Sequence, residues 1–446
     1  MALTSPLRLT WAVQPNMSFH RIVPPTLARV SSPRHRGDGL FQFGTRCDYP
    51  EALRWRGPDV IERILGNQGR LGRAACITAL AAIAIAAAGC SRHASAPAHM
   101  TPGSPSAYAY ITNYGQGTIS QFQREPDGSL VFIGTTHAGA PHGPMGIAIH
   151  PSNRTLYAVN EGEARVYQFR LDMTTGNLTP LRDGFVNQDK LSAPQQIVLD
   201  NKGAFAYVSN AGDGTISEYS IDPGDGSLWL VGTLRWDQLR SPRGIILSPD
   251  NHYAFAVDPT MGRVVAMRVD PSGLLTPVTS APSLGDKPGQ PGMAAVDPSG
   301  RFLYVTDRRS SSVARFTFKD GKLAYSGRAA RGMPTSDANG IMVLPVGPEH
   351  LFAYVTEPAI DSVEDYEVNQ GQFVPSGQTS VGFSGPAGMA ADKSGSLLYV
   401  VGRKSGTVAQ FKVVADRGGF MMLVGTAFTQ DPPDESSQPL FIALTH

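Results

Sequence analysis

The chain has 446 residues, among them 48 Gly and 35 Pro, with 17% charged residues and a formal net charge of +1. Turn-formers well above their usual share of roughly 12% call for many short elements joined by tight turns, and exclude a coiled coil, a collagen helix or a strongly disordered chain. A mean hydropathy of −0.14 argues against a polytopic membrane protein, and the near-zero charge gives no electrostatic footprint for nucleic acid.

Residues 1–59 come first, rich in Arg and Pro and without hydrophobic periodicity. They read as an unstructured leader: either a genuine extension or the result of a start assigned upstream of a true one near Val60 or Leu65. Residues 60–90 read as an export signal. Arg63, Arg70 and Arg73 precede an uncharged apolar run over 74–88 that ends in small residues. A basic segment, a short apolar core and a small-residue end are the three parts of a secretory signal. The run is shorter than the roughly 20 residues a bilayer span needs.

The run closes as Ala87-Ala88-Gly89-Cys90, which resembles the bacterial lipobox with Ala87 in place of the usual Leu. The resemblance implies that Cys90 becomes the lipidated first residue of an envelope protein held to the membrane by its lipid. Cleavage without lipidation is the alternative. Residues 91–106, small, polar and Pro-containing, follow as a tether. Cys47, Cys76 and Cys90 are the only cysteines, so nothing beyond Cys90 offers a disulfide, a thiolate ligand or a Cys nucleophile.

From Ala107 onward the sequence repeats. An aromatic residue in a β-rich run recurs as Tyr110, Tyr157, Tyr207, Phe255, Tyr304, Tyr354 and Tyr399, at spacings of 47, 50, 48, 49, 50 and 45. Before it stands a Pro-plus-apolar block, as in PMGIAI (144–149) and PRGIIL (242–247), then a turn such as SPDN (248–251). After it comes an alternating strand, GTISQF (117–122) or GTISEY (214–219), and a hairpin cue leading into a fourth, as in PDGSLVFIGT (126–135). Four antiparallel strands repeated seven times make an all-β seven-bladed β-propeller over 107–446. The first unit lacks its first strand, and the block at Pro439–Leu444 supplies it from the C-terminus. That closes the ring and removes free edges.

The pattern of Pro-x-Gly-Ile, SPDG-like turns, LYV-x-N and GTVS-x-Y resembles the bacterial seven-bladed propellers of the lactonase family. That group includes 6-phosphogluconolactonases and carboxymuconate-cyclising enzymes, beside the wider set of YVTN-repeat envelope propellers. LYAVNE (156–161) matches the family's Asn-Glu block. SPRGIILSPDNHYAFAVD (241–258) matches its Gly-Pro-Arg-His strand and following turn, with Arg243 retained, Gly244 in place of His, and Val257-Asp258 in place of Asn-Glu. Ala193-Pro194-Gln195-Gln196 also lacks the family's His. The resemblance implies lactone hydrolysis, while the missing histidines weigh against cyclising chemistry.

Propellers bind ligands where the loop leading into the inner strand meets the loop after the second strand. Residues at those places are Gln195, Gln196, Arg243, Asp258, Asp307 and Asn339, with Glu161, Arg308 and Glu357 nearby and His142 on the same face. One cation among amides and carboxylates suits a small anionic or polyhydroxylated ligand. Hydrolysis of a lactone needs a base and an oxyanion stabiliser: Asp258 or Glu161 for the first, Arg243 for the second. Arg243 and Asp258 bracket one hairpin and are expected side by side. Small residues after the inner-strand Pro are expected to let the inner strands crowd together. His150, in a turn, is expected on the opposite face in solvent. No metal-ligand pattern, phosphate loop or nucleophile elbow occurs, so neither metal nor cofactor is expected. Two classes stay open: a lactone hydrolase, and a non-catalytic propeller binding a ligand or an envelope protein.

Overall fold

The computed structural model describes residues 107–186, 191–330, 337–347, 349–380, 383–430 and 435–445. The leader, the signal, Cys90 and the tether lie outside the described residues.

Each repeat folds as its alternation dictates. In the first, β1 (Ala107–Asn113) pairs antiparallel with β2 (Thr118–Arg124), and β2 with β3 (Leu130–His137). The fourth member is β28 (Pro439–Leu444), which pairs with β1 through Ala109–Leu444 and Ile111–Ile442. The two ends of the propeller therefore share one sheet, as expected from the missing first strand. The other blades run in sequence from their innermost to outermost strands: β4 (Pro144–Ile149) to β7 (Leu178–Phe185), β8 (Pro194–Leu199) to β11 (Leu228–Arg235), and β12 (Gly244–Leu247) to β15 (Leu275–Pro282). They continue with β16 (Pro291–Val296) to β19 (Lys322–Ala330), β20 (Ile341–Val346) to β23 (Gln372–Ser380), and β24 (Pro386–Ala391) to β27 (Phe420–Phe428). Among the described residues there are seven four-stranded sheets.

The core lies in the seams. Tyr108, Tyr110 and Ile119 of the first blade pack with Leu156, Ala158 and Phe169 of the second, and similar clusters fill the other interfaces. The recurring aromatic is buried in every blade, and its hydroxyl crosses to the next one. Tyr110 donates to the carbonyl of Gly176 at 2.8 Å, Tyr207 to Gly273 at 2.9 Å, Tyr304 to Gly371 at 3.1 Å and Tyr354 to Gly419 at 2.7 Å. Tyr157 donates to Gly226. Tyr399 reaches Gly128 at 3.1 Å, binding the seventh blade to the first. Each acceptor sits in the hairpin between the third and fourth strands of the neighbour. Phe255 has no hydroxyl, and its seam instead stacks the ring edge-on against Phe318 at 4.8 Å.

Crowding at the axis explains the glycines of the inner strands. A Cβ on Gly146 would lie 2.7 Å from the Cα of Gln196, and one on Gly388 would lie 2.4 Å from the carbonyl oxygen of Leu440. Real Cβ atoms do not approach so closely, so these positions fix the spacing of adjacent inner strands. His150 departs from the expectation of a solvated ring. It is half-buried, and its Nε2–H donates to the Gly203 carbonyl of the next blade at 2.9 Å.

Candidate functional site

A cavity of about 440 Å³ lies on the ring axis, lined by residues from all seven blades. Two sets of positions build it. One is the start of the inner strands, which contribute Met145, Gln195, Gln196, Arg243, Met293, Asn339 and Phe441. The other is the residue following the second strand of a blade, which contributes Tyr114, Glu161, Arg308 and Arg403. Each of these four stands four positions beyond the recurring aromatic.

The residue one position earlier does something else. Asn113, Asn160, Asn210, Asp258, Asp307 and Glu357 are all buried, and none lines the cavity. As the last residue of its strand, each side chain turns into the blade. Asn113 donates to Thr118 Oγ1 and Ser120 Oγ, at 3.0 and 2.7 Å, and Asn210 to Thr215 Oγ1 and Ser217 Oγ. Asn160 donates to the Ala138 carbonyl at 2.8 Å and accepts from the Glu163 amide at 2.9 Å.

Asp258 belongs to this clamping set. One carboxylate oxygen accepts from the amides of Arg240 and Ser241, at 2.5 and 2.7 Å, and the other from that of Met261 at 2.8 Å. The carboxylate is spent on tying two loops together and is fully buried. It does not face a ligand, which corrects its assignment as a base. Asp307 is occupied likewise by the amides of Gln290 and Ser310 and the Ser310 hydroxyl. It is not a ligand-binding residue of the cavity.

The hairpin does bring the backbones of Arg243 and Asp258 together. Gly244 pairs with Val257, and the Arg243 amide donates to the Val257 carbonyl at 3.1 Å. The two side chains part company there. Arg243 is exposed, lines the cavity and makes no ion pair among the described residues.

Glu161 is half-buried on the cavity wall. Its backbone is fixed by a bond from its amide to the Gly143 carbonyl at 2.7 Å, and its carboxylate has no partner among the described residues. Arg308 is held by Asp337 through two contacts, Nε to Oδ1 at 2.8 Å and Nη2 to Oδ2 at 3.2 Å. Arg403 lies over the Tyr114 ring, 5.7 Å from its centroid. His142 meets the same ring edge-on at 5.5 Å without lining the cavity. It is exposed at the rim, with φ at 60°.

Of the amides, Gln195 is buried and lines the wall. Gln196 spends its Oε1 on the Ile245 amide at 2.8 Å, which bridges the third and fourth blades. Asn339 lines the cavity, with its carbonyl accepting from Thr306 Oγ1 at 2.7 Å. Arg403 and Tyr114 escaped the sequence reading, which named Glu161 and Arg308 at this position but otherwise followed the clamp position before it.

With Arg308 neutralised by Asp337, the charges of the wall without an ion-pair partner among the described residues are Arg243, Arg403 and Glu161. Two guanidiniums can hold an anionic ligand or a developing oxyanion, and one unpaired carboxylate can take a proton. Among the described residues no cluster of His, Cys, Asp and Glu is arranged to hold a metal ion.

The family model described as "Lactonase, 7-bladed beta-propeller" matches residues 77–288 and 295–432. A 6-phosphogluconolactonase of Formosa agariphila is 24% identical over 237 residues, 49% of this chain and 66% of its own length. The match thus spans just under two thirds of that relative. A periplasmic gluconolactonase of Pseudomonas aeruginosa superposes with a TM-score of 0.61 at 20% identity, over 77% of this chain and 99% of the other. A Bacteroides uniformis protein described as a candidate 6-phosphogluconolactonase gives 0.64 at 20% identity, over 77% and 100%. At these identities the structural likeness speaks for the fold. The family match covers most of the sequence, and the chain belongs to the seven-bladed β-propeller lactonase family.

Proposed function

We propose that the protein hydrolyses a small anionic or polyhydroxylated lactone, of the sugar-lactone class, in the axial cavity. The observation that carries the reading is that two unengaged charges, the Glu161 carboxylate of the second blade and the Arg243 guanidinium of the fourth, line the same cavity. In this mechanism Glu161 takes a proton from water as the water oxygen attacks the lactone carbonyl carbon. Arg243 stabilises the oxyanion that forms. The ring C–O bond then breaks, Glu161 returns the proton to the leaving alkoxide, and one water has been consumed to give a hydroxy acid. Arg403 supplies a second positive charge for an anionic substituent. The names of the similar proteins, 6-phosphogluconolactonase and gluconolactonase, support this substrate class.

Titrating acid release with purified protein against a panel of aldonolactones and anionic lactones tests the proposal. Wild type is expected to exceed spontaneous hydrolysis, and Glu161→Gln to lose about 10²- to 10⁴-fold in kcat. One observation favours a second reading, ligand binding without turnover: among the described residues no His lines the cavity. Calorimetric binding of a sugar acid, with no lactone turned over, would establish that reading in place of the first.

The location is part of the same proposal. The lipobox-like sequence ending at Cys90 supports export and attachment to a bacterial envelope membrane through lipid. Radioactive palmitate should label the wild type expressed in a bacterium and leave Cys90→Ser unlabelled. Equal labelling would remove the anchor.

A further inference from the structure

We propose that the outer edge of the seventh blade pairs with the same edge of a second copy of this chain. Among the described residues the outermost strand of each blade leaves one row of backbone N–H and C=O groups without a ladder partner, and such edges invite pairing unless guarded. Six edges carry a guard or little apolar surface. In β7, β15 and β23, Pro180, Pro277 and Pro375 occupy the same register position, opposite Phe169, Met267 and Tyr366, just past a shift in the pairing. Proline there removes an N–H donor. β19 carries Lys322 and Arg328. β11 ends in Arg235, and its exposed Trp229 lies under the Arg182 guanidinium at 5.3 Å. β3 exposes one large apolar side chain, Val131.

β27 has none of these devices. Its sequence, FMMLVGTAF, holds no charge and no proline, and Leu423 stands opposite Phe411 where the guarded blades have proline. Met422, Leu423 and Phe428 are 48%, 51% and 51% exposed, with Phe420 and Val424 also outside. This is the largest group of exposed apolar side chains on any one strand among the described residues.

The occupant follows from two properties of the strand. Free edge N–H and C=O groups are satisfied by another strand, which lipid chains cannot supply. The absence of charge lets a copy of the strand itself fill that role. Set antiparallel to itself, an uncharged strand brings no like charges together, and it offers no Lys or Arg to anionic headgroups. Such a contact is isologous and stops at two copies, where a head-to-tail contact would propagate.

Sedimentation of the full chain over roughly 1 to 100 μM, beside Leu423→Pro and Leu423→Lys, tests the proposal. Leu423→Pro copies what three other blades already carry. Leu423→Lys keeps the backbone donor and opposes like charges across the pair, so it serves if the proline variant fails to fold. The wild type is expected to sediment as a dimer and both folded variants as monomers that still melt cooperatively. A wild type that stays monomeric over the range overturns the proposal, as does a dimer that survives both substitutions. Flotation with phosphatidylcholine vesicles that is lost in Leu423→Lys, without dimers in lipid-free buffer, would assign the edge to lipid and equally overturn it.

Discussion

Arg243 and Asp258 sit at the open end of one hairpin and end in opposite environments. The carboxylate is consumed by three backbone amides, while the guanidinium is left free on the cavity wall. Arg243→Ala is therefore expected to weaken binding of an anionic sugar acid about ten- to a hundred-fold, the loss of one charge-assisted contact. Its melting temperature should stay that of wild type. Calorimetry beside a melting curve reads both, and a lowered melting temperature with intact binding would make Arg243 structural.

Glu218 shows a different residue-scale effect. It is buried, its Oε1 accepts from the Leu275 amide of the next blade at 2.8 Å, and burial pushes its carboxyl from an ordinary 4.5 up to about 7. Unfolding therefore releases a proton between those values. Stability falls as pH rises through that window and stays lower above it. Gln121 and Gln168 make the same cross-blade bond without a titrating group. Glu218→Gln should raise the melting temperature at about pH 8 and lose its advantage towards about pH 4, worth at most about 3 kcal/mol. An equal effect at both pH values would contradict the assignment.

Among the elements, the second strand of each blade does most to hold the ring. Its aromatic fills a seam, and in six of seven blades its hydroxyl donates to the next blade's hairpin. Tyr399→Phe deletes one such bond at the junction of last and first blades and leaves a carbonyl unpaired. About 0.5–1.5 kcal/mol of stability should be lost by urea denaturation, while Phe255→Leu should cost stability through packing alone. An unchanged midpoint for Tyr399→Phe would show the bond to be replaceable.

The strands were legible because their signals are local and sevenfold: Pro before an apolar block, an aromatic at near-constant spacing, Gly in the hairpins. Ring closure was legible because one missing strand matched one surplus strand. The site was legible only in part. The last residue of the second strand and the residue after it are neighbours in sequence, but one side chain turns into the blade and the other towards the axis. Composition does not separate them, since Asn, Asp and Glu serve as turn clamps and as ligand contacts alike. Comparing the seven blades at the later position shows Tyr114, Glu161, Ala211, Pro259, Arg308, Pro358 and Arg403. That comparison is the signal that would have found Arg403 and set Asp258 and Asp307 aside.

At the scale of the whole molecule, closure is made by a strand that belongs to the far end of the sequence. β28 supplies the inner partner of β1, and Thr445 adds a bond from the Tyr108 amide to its Oγ1 at 2.8 Å. Deleting residues 439–446 should abolish the cooperative melting transition or drive aggregation, because β1 would then present a new open edge. A monomer with the wild-type melting temperature would show that the ring closes by other means.

The most direct test of the account compares two carboxylates on the same preparation, Glu161→Gln and Asp258→Asn, by lactone hydrolysis and thermal melting. Glu161 is assigned to the chemistry and Asp258 to the scaffold. The prediction is that Glu161→Gln loses hydrolysis and keeps its melting temperature, while Asp258→Asn melts lower and, where folded, still turns over substrate. The reverse pattern, with Glu161→Gln active and Asp258→Asn inactive but as stable as wild type, would contradict it.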